Sequence, residues 1–230
     1  MKKQFVLIKN HHSKIINCIT SIIAISLFVS CTHTEKKTHT SIIEIVGIDT
    51  ISHQKLKALD LQATLYQWKN HLVVFGVFQD VAEMYKQIAA IYPEASVRLY
   101  EQPFYIFDRR QCDKASYSER WSHTLMTANL VADTVLQEEY MDYHDRQAEL
   151  FPEVARGFCR ADFQQLLLFR NGRQLMLVIS IPEGENLDDL NPKTTENNPR
   201  VDEWNMLMAK YQEGIEGTAP EETWVVLEER

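Results

Sequence analysis

The chain has 230 residues, of which 45% are apolar, and its formal net charge is −8. A chain of this length and composition can bury a hydrophobic core as one large domain or two small ones. Its acidic balance, without a stripe of lysine and arginine, argues against binding to a phosphate backbone, so we expect no nucleic-acid partner.

The first 30 residues have the pattern of a bacterial signal peptide. Lysines open the chain, and an apolar run follows over residues 15–29, too short to cross a bilayer comfortably but typical of a signal sequence. The run ends in Leu-Phe-Val-Ser-Cys, which resembles a lipobox, with small Ser30 before Cys31. We therefore predict lipidation at Cys31 and a membrane-anchored lipoprotein of the cell envelope, on the periplasmic or surface side. Plain signal cleavage and an uncleaved anchor helix are the alternatives.

Residues 31–40 are polar and uniform, as expected of a tether between an anchor and a folded domain. Two further cysteines, Cys112 and Cys159, belong to the region that should fold. They could form one disulfide, although a buried free thiol is at least as consistent with each of them. Nothing in their spacing indicates a metal site.

Residues 41–110 predict one set of alternating elements. The hydrophobic pattern and turn residues place strands at 42–48, 63–68, 72–78 and 96–108, a short helix at 53–61, and a second helix between Asp80 and Pro93. Lys69, Asn70 and His71 form the turn between the two central strands. The order of elements is βαββαβ.

Residues 111–230 repeat that order. We predict strands at 123–131, 163–169, 174–181 and 224–227, a helix opened by Thr134 in a capping box with Gln137, and a helix at 199–211. Two such units indicate an α+β fold of tandem ferredoxin-like units. Because each antiparallel sheet needs a cover on its helix-free face, the two sheets should pack together as an intramolecular dimeric-type α/β barrel. The first half would replace the second subunit of a homodimer, which predicts a monomeric body.

No dinucleotide-binding turn, phosphate loop, serine elbow or cysteine pair is present in the sequence, so cofactor-free chemistry or binding is expected, with no metal. The candidates for that chemistry lie on two predicted helices. Tyr140 and His144 are four residues apart and share one helical face, and Trp204 lies on the later helix. Taken singly, each of these would usually be a core aromatic residue or a satisfied histidine.

Several separated motifs over roughly residues 120–229 resemble the L-rhamnose mutarotase family. They are Tyr140-x-x-x-His144, Phe-Pro-Glu-Val from residue 151, the Asn-Gly turn at 171–172, Asn-Pro-Arg-Val-Asp-Glu-Trp at 198–204 with Met208, and Glu222-x-Trp224. The resemblance implies a cofactor-free enzyme of the dimeric α/β-barrel fold that interconverts the anomers of a monosaccharide. It assigns the catalytic role to His144, sugar binding to Tyr140, and the first of two pocket tryptophans to Trp204.

Four departures from the family pattern leave the substrate open. The spacer between His144 and Phe151 is longer than usual, Phe151 stands where tryptophan is common, and Asn205 replaces the second pocket tryptophan. The tyrosine expected on the first hairpin strand is missing, and Gln164 could take its hydrogen-bonding role. Asn205 and Gln164 are thus candidate sugar contacts, with solvated polar residues as the alternative for both.

The leading interpretation is an exported mutarotase for L-rhamnose or a related deoxy-sugar. The alternative is a non-catalytic sugar-binding or interaction lipoprotein that keeps the fold. A third interpretation, a cofactor-free oxygenase or related small-molecule enzyme, rests on the fold class alone.

Overall fold

The computed structural model describes residues 40–59, 61–113 and 117–230. The predicted signal peptide, the lipidation site at Cys31 and the tether up to residue 39 lie outside the described residues. Thr40, the last residue of the predicted tether, is already part of the first strand. In the described ranges, no helix combines the length and the apolar character needed to cross a membrane.

In the part of the first half that the structure describes there are five strands and one α-helix. Their bounds are β1 Thr40–Val46, β2 Ala63–Trp68, β3 His71–Val77, α1 Val81–Ile91, β4 Ser96–Tyr100 and β5 Tyr105–Asp108. The predicted helix at 53–61 is a 3-10 helix, His53–Ala58.

The second half contains the remaining strands and helices. Their bounds are β6 Trp121–Leu130, α2 Thr134–Asp145, α3 Gln147–Leu150, α4 Pro152–Arg160, β7 Gln165–Asn171, β8 Gln174–Pro182, α5 Leu187–Leu190, α6 Pro199–Met208, β9 Gln212–Glu213 and β10 Val225–Glu229. The helix predicted at 199–211 continues past α6 only as a 3-10 turn, Ala209–Tyr211.

Local side-chain chemistry explains where these elements begin. The Asp80 carboxylate accepts a hydrogen bond from the Glu83 amide and starts α1, as the sequence predicted. The predicted capping box of α2 is wrong, because Asp133 caps that helix by accepting from the Val135 and Leu136 amides. Gln137 instead donates to the Val131 carbonyl, and so it ties the helix to the end of β6.

The strands form one antiparallel sheet, and the two halves contribute matching parts of it. The order is β4-β1-β3-β2-β10-β6-β8-β7-β5, with β9 paired to β6. Each half therefore places its first strand between its last strand and the second strand of its hairpin. The halves join where β2 pairs with β10, with Gln67 opposite Glu228.

The sheet curls so that inner side chains from both halves meet. Alternation along each strand sends Ile42 and Phe75 of the first half and Phe169 and Met176 of the second half into one buried cluster. Neighbouring residues such as Ile43 point the other way and pack under α1. The result is a mixed α/β molecule with a curled antiparallel sheet that carries helices on its outer face.

The prediction of a single strand over 96–108 is wrong. Pro103 cannot donate a ladder hydrogen bond, and the chain breaks between β4 and β5. β5 then leaves the strands of the first half and pairs with β7, with Tyr105 opposite Leu168. The first half thus sends a strand, β5, across to the edge of the sheet in the second half, beside β7.

Cys112 and Cys159 form a disulfide, with their Cα atoms 5.8 Å apart. The sequence had left this pairing open. The bond links the chain just after β5 to α4, so the end of the crossing strand is covalently tied to the second half.

Candidate active site

Helix α2 places Tyr140 and His144 together on its buried face. Tyr140 is completely buried and His144 is 9% exposed, and their rings lie 4.3 Å apart. The spacing of four residues puts both side chains on one side of the helix, where Tyr140 shares a buried cluster with Leu168 of β7 and Leu175 of β8. The sequence therefore predicted correctly that these two residues are neighbours.

The tautomer of His144 follows from its hydrogen bond. Nδ1 lies 2.9 Å from the Tyr140 carbonyl oxygen, which can only accept, so Nδ1 carries the proton. Nε2 is then the nitrogen with a free lone pair. Burial lowers the pKa of His144 to about 4, although the bond to the Tyr140 carbonyl acts in the opposite direction. At neutral pH the imidazole is an uncharged base.

Helix α6 supplies the third predicted residue. The Trp204 ring lies 5.1 Å from the His144 ring, in an edge-to-face arrangement, and Phe151 packs against Trp204 at 5.3 Å. Asn205 is exposed, because the next residue on a helix turns about 100° away from a buried neighbour. The structure thus brings Trp204 to His144 and leaves Asn205 at the surface.

The crossing strand completes an enclosure around His144. Phe104 and Tyr105 place their rings 5.6 and 5.4 Å from the imidazole. The Tyr105 hydroxyl donates to Oε1 of the buried Gln147 at 2.7 Å, and burial raises the pKa of Tyr105 to about 12. We call residues 104–108 the β5 strap, and the four rings of Phe104, Tyr105, Tyr140 and Trp204 the aromatic cage.

Sequence reasoning missed the strap as part of the site, since residues 104 and 105 were assigned to a strand of the first half. Pro103 was the one local signal that the strand ends before them.

The Tyr140 hydroxyl is held by a residue that the sequence did not single out. Gln212 donates to it at 3.2 Å and accepts from Nε1 of Trp224 at 3.0 Å. Burial raises the pKa of Tyr140 well above its ordinary value, so the phenol keeps its proton. These hydrogen bonds connect Trp224 through Gln212 to Tyr140. They explain why a tryptophan next to the last strand occurs together with the Tyr140 and His144 motif.

Gln164 lies apart from the cage. It is buried at the entry to β7, where it accepts from the Ser118 amide at 2.9 Å and donates to the Asp162 carbonyl at 3.0 Å. Its amide is therefore occupied in holding the loop before β6. The structure does not bring Gln164 to His144.

A groove of about 1090 Å³ runs along the outer side of the cage, between α2 and α6. Phe151 and Tyr143 line it, and the Arg200 guanidinium lies 4.2 Å from the centre of the Phe151 ring. Phe151 touches Trp204, which touches His144. Two rings in series, Phe151 and Trp204, thus separate the groove from the imidazole.

This geometry suits proton transfer on a small ring-shaped molecule. His144 supplies an uncharged base, Tyr140 a phenol that stays protonated, and Trp204 a flat apolar surface. Aromatic faces of this kind stack on the C–H side of sugars, while hydroxyls bond to the polar atoms.

A protein-family model described as L-rhamnose mutarotase matches residues 125–230. The L-fucose mutarotase of Xanthomonas campestris pv. campestris is 31% identical over 93 residues, which cover 40% of this chain and 72% of that protein. The chain belongs to the L-rhamnose mutarotase family.

A second relative of this mutarotase-family chain is a UPF0734 protein of Dictyostelium discoideum, 30% identical over 109 residues, which cover 45% of this chain and 75% of the relative. The family match begins within β6 and includes Tyr140, His144 and Trp204. It therefore contains every residue of the aromatic cage except Phe104 and Tyr105, which come from outside the matched range.

Proposed function

We propose that the protein is a sugar mutarotase that interconverts the α and β anomers of L-rhamnose, L-fucose or a related 6-deoxy-sugar. The observation that carries the proposal is the contact of Tyr140, His144 and Trp204 inside the half that matches the family. The relative from Xanthomonas is named for L-fucose and the family for L-rhamnose, so both sugars are candidate substrates.

In the proposed reaction, Nε2 of His144 takes the proton from the anomeric hydroxyl while the bond between C1 and the ring oxygen breaks. The same proton passes to the ring oxygen, which becomes a hydroxyl, and C1 becomes the aldehyde of the open chain. After rotation about the C1–C2 bond, the steps reverse and the ring closes on the other face.

One histidine can perform both transfers, because the two oxygens are attached to the same carbon atom. The lowered pKa of His144 makes the transient imidazolium more acidic than an ordinary one, which favours delivery of the proton to the ring oxygen. Tyr140 would orient a sugar oxygen and Trp204 would stack on the ring. Spontaneous mutarotation is already fairly fast, so only a modest reduction of the barrier is required.

The test is anomer exchange measured by NMR exchange spectroscopy on L-rhamnose, L-fucose and a panel of other deoxy-sugars. We expect His144→Ala to lower the catalysed exchange by about 10²-fold or more, since general acid–base groups contribute that much. His53→Ala, in the 3-10 helix of the first half, is the matched control and should keep full activity. Equal exchange by wild type and His144→Ala on every sugar would contradict the proposal.

A second candidate function is non-catalytic sugar binding by a protein that keeps the mutarotase fold. The enclosure of His144 by the β5 strap favours it, because the imidazole is only 9% exposed. Calorimetry separates the two candidates. Binding of a sugar without catalysed anomer exchange would support the second, and exchange that depends on His144 would refute it.

We also propose that the protein is exported and anchored as a lipoprotein. The disulfide between Cys112 and Cys159 supports export, because such bonds persist in oxidising compartments and are rare in the cytosol. Expression of the full chain in a Gram-negative bacterium with labelled palmitate should give a labelled protein in the membrane fraction. Cys31→Ser should abolish the label, and an equally labelled variant would contradict lipidation at this residue.

Finally, we propose that the two halves are tandem ferredoxin-like units whose sheets form an intramolecular barrel. The matching strand orders of the halves, their junction at β2 and β10, and the shared inner cluster support this architecture. The first half would then take the place of the second subunit of a dimeric barrel.

A further inference from the structure

A charged side chain lies on the inner face of the curled sheet, away from the aromatic cage. Glu44 of β1 is fully buried, and its inward-facing neighbour Ile42 belongs to the inner apolar cluster. Its Oε1 accepts from Nδ1 of His71 at 2.6 Å, and its Oε2 accepts from the Tyr100 hydroxyl at 2.9 Å and from Arg98 at 3.2 Å. Burial acts to raise the pKa of Glu44, but the bonds and charges of His71 and Arg98 outweigh it and lower that pKa.

The second half completes this network. Nε2 of Gln174, on β8, donates to Glu44 at 2.9 Å and to the Thr127 hydroxyl at 3.1 Å, and its Oε1 accepts from Arg98. Gln174 lies opposite Asn129 in the pairing of β6 with β8. Gln174 therefore connects the network of the first half to β6 and β8 of the second half.

An open cleft of about 1200 Å³ lies directly above the network. Its lining includes His71, Arg98 and Gln174, the polar side chains Asn70, Asn129 and Asn171, and loop residues 46–50 and 214–217. The cleft is thus built from both halves and has a preformed floor of hydrogen-bonding groups.

Side chains at the base of the cleft have hydrogen-bonding atoms that remain available to a ligand. The bonds of Arg98 to Glu44 and to Gln174 use the same terminal nitrogen, and its side chain is 33% exposed, so the other nitrogens can face the cleft. Nδ1 of His71 is held by Glu44, which leaves Nε2 as its second hydrogen-bonding atom. Asn129 of β6 is half-buried and lines the cleft.

Charges within this region are largely compensated. Arg98 pairs with Glu44, and Arg173 at the rim pairs with Glu213 at 2.6 Å. The rim also carries the cation Lys69 and the exposed acids Asp49 and Glu216, so the positive and negative charges of the rim nearly cancel. Such a surface offers many oriented dipoles and little net charge, which suits a neutral ligand with many hydroxyls.

Packing alone does not account for the network. A buried ionic pair usually stabilises a fold less than apolar side chains of equal volume would, because both ions lose their hydration. In small-molecule sites, a few precisely placed polar groups fix the orientation of the bound molecule. We propose that this cleft is a second ligand site, which binds a neutral, polyhydroxylated molecule of the size of a mono- or disaccharide.

The experiment uses the chain from residue 32 onward, which contains every described residue, and ¹⁵N-labelled protein. Maltose, cellobiose, sucrose, L-rhamnose and L-fucose are titrated separately, with glucuronate and galacturonate as charged sugars. We expect at least one neutral sugar to shift the amide signals of residues 69–71 and 171–174. Asn129→Ala should weaken that binding about three- to tenfold, the effect of one lost hydrogen bond.

Gln87→Ala, an exposed residue of α1, is the matched control and should bind as the wild type does. His144→Ala should leave binding in the cleft unchanged while anomer exchange is lost, so failure here is distinguishable from failure of the proposed mutarotase activity. Tighter binding of the charged sugars, binding that Asn129→Ala does not weaken, or no shift of these signals with any neutral sugar would each overturn the proposal. A melting temperature of Asn129→Ala equal to that of wild type verifies that the variant is folded.

Discussion

The imidazole of His144 is surrounded by the four rings of the aromatic cage, and this environment determines its chemistry. An exposed histidine would be partly protonated near neutrality, whereas burial keeps this one neutral down to a pKa of about 4. A pattern of tyrosine and histidine four residues apart indicates that they share a helical face, but it carries no information about the residues that pack on them.

The same burial predicts a pH dependence of stability. The pKa of His144 is about 4 in the folded state and 6.5 in the unfolded state, so below pH 6.5 the unfolded chain gains a proton that the folded protein does not take up. The folded state should lose about 2–3 kcal/mol through His144 as the pH falls from 7.5 to 4.5. The loss stops only below pH 4, when both states are protonated.

Urea unfolding of wild type and His144→Gln at a series of pH values measures this contribution. The glutamine variant should show the smaller decrease between pH 6.5 and 4.5, whatever its stability at neutral pH. Parallel curves for the two proteins would mean that His144 is not the buried neutral group described above.

At the level of secondary structure, the β5 strap is the element that differs most from the sequence-based expectation. The turn and cap residues of α1 and of both hairpins predicted those elements to within a few residues. The sequence did not predict the pairing of β5, because its partner strand, β7, lies about 60 residues further along the chain. Periodicity indicates that a segment is a strand, but the choice of partner is a tertiary property.

If the strap excludes water from His144, loosening it should change the titration of that residue. Phe104→Ala removes one ring of the aromatic cage, so the pKa of His144 should rise toward its ordinary value as water reaches the imidazole. An NMR titration of the histidine ring protons measures this pKa. Ile106→Ala changes a residue of the same strand that is 56% exposed, and it should leave the titration unchanged.

Equal His144 titrations in wild type and Phe104→Ala would show that the strap does not control access to the imidazole. A raised pKa together with faster anomer exchange would indicate that the strap restricts entry of the sugar.

On the scale of the whole molecule, the helix-free faces of the two halves cover each other. Tyr66, Tyr100 and Leu125 are among the fully or almost fully buried residues of the inner cluster, which draws on strands of both halves. The large exposed apolar residues, such as Ile48, Val135 and Met206, are scattered over separate elements. A second copy of the chain is therefore not needed to bury the inner face of either half.

We accordingly predict a monomer. We would analyse the chain without its first 31 residues by size-exclusion chromatography with light scattering. It should have the mass of one copy at protein concentrations up to about 100 μM. An obligate dimer would contradict the proposal that the first half replaces a second subunit.

The sequence by itself determined the family, the pairing of Tyr140 with His144 and the repeated order of elements, because these depend on residue identity and local periodicity. The place of Trp204 beside Tyr140 and His144 was implied by the resemblance to the family. The tertiary structure alone decided that Phe104 and Tyr105 cover His144, that Gln212 holds the Tyr140 hydroxyl, and that Gln164 and Asn205 lie away from the cage. It also placed Glu44 and Gln174 in one network across the two halves. These contacts join residues far apart in the chain, and the free energy of burial that selects them depends on the packing of the whole sheet rather than on any local pattern.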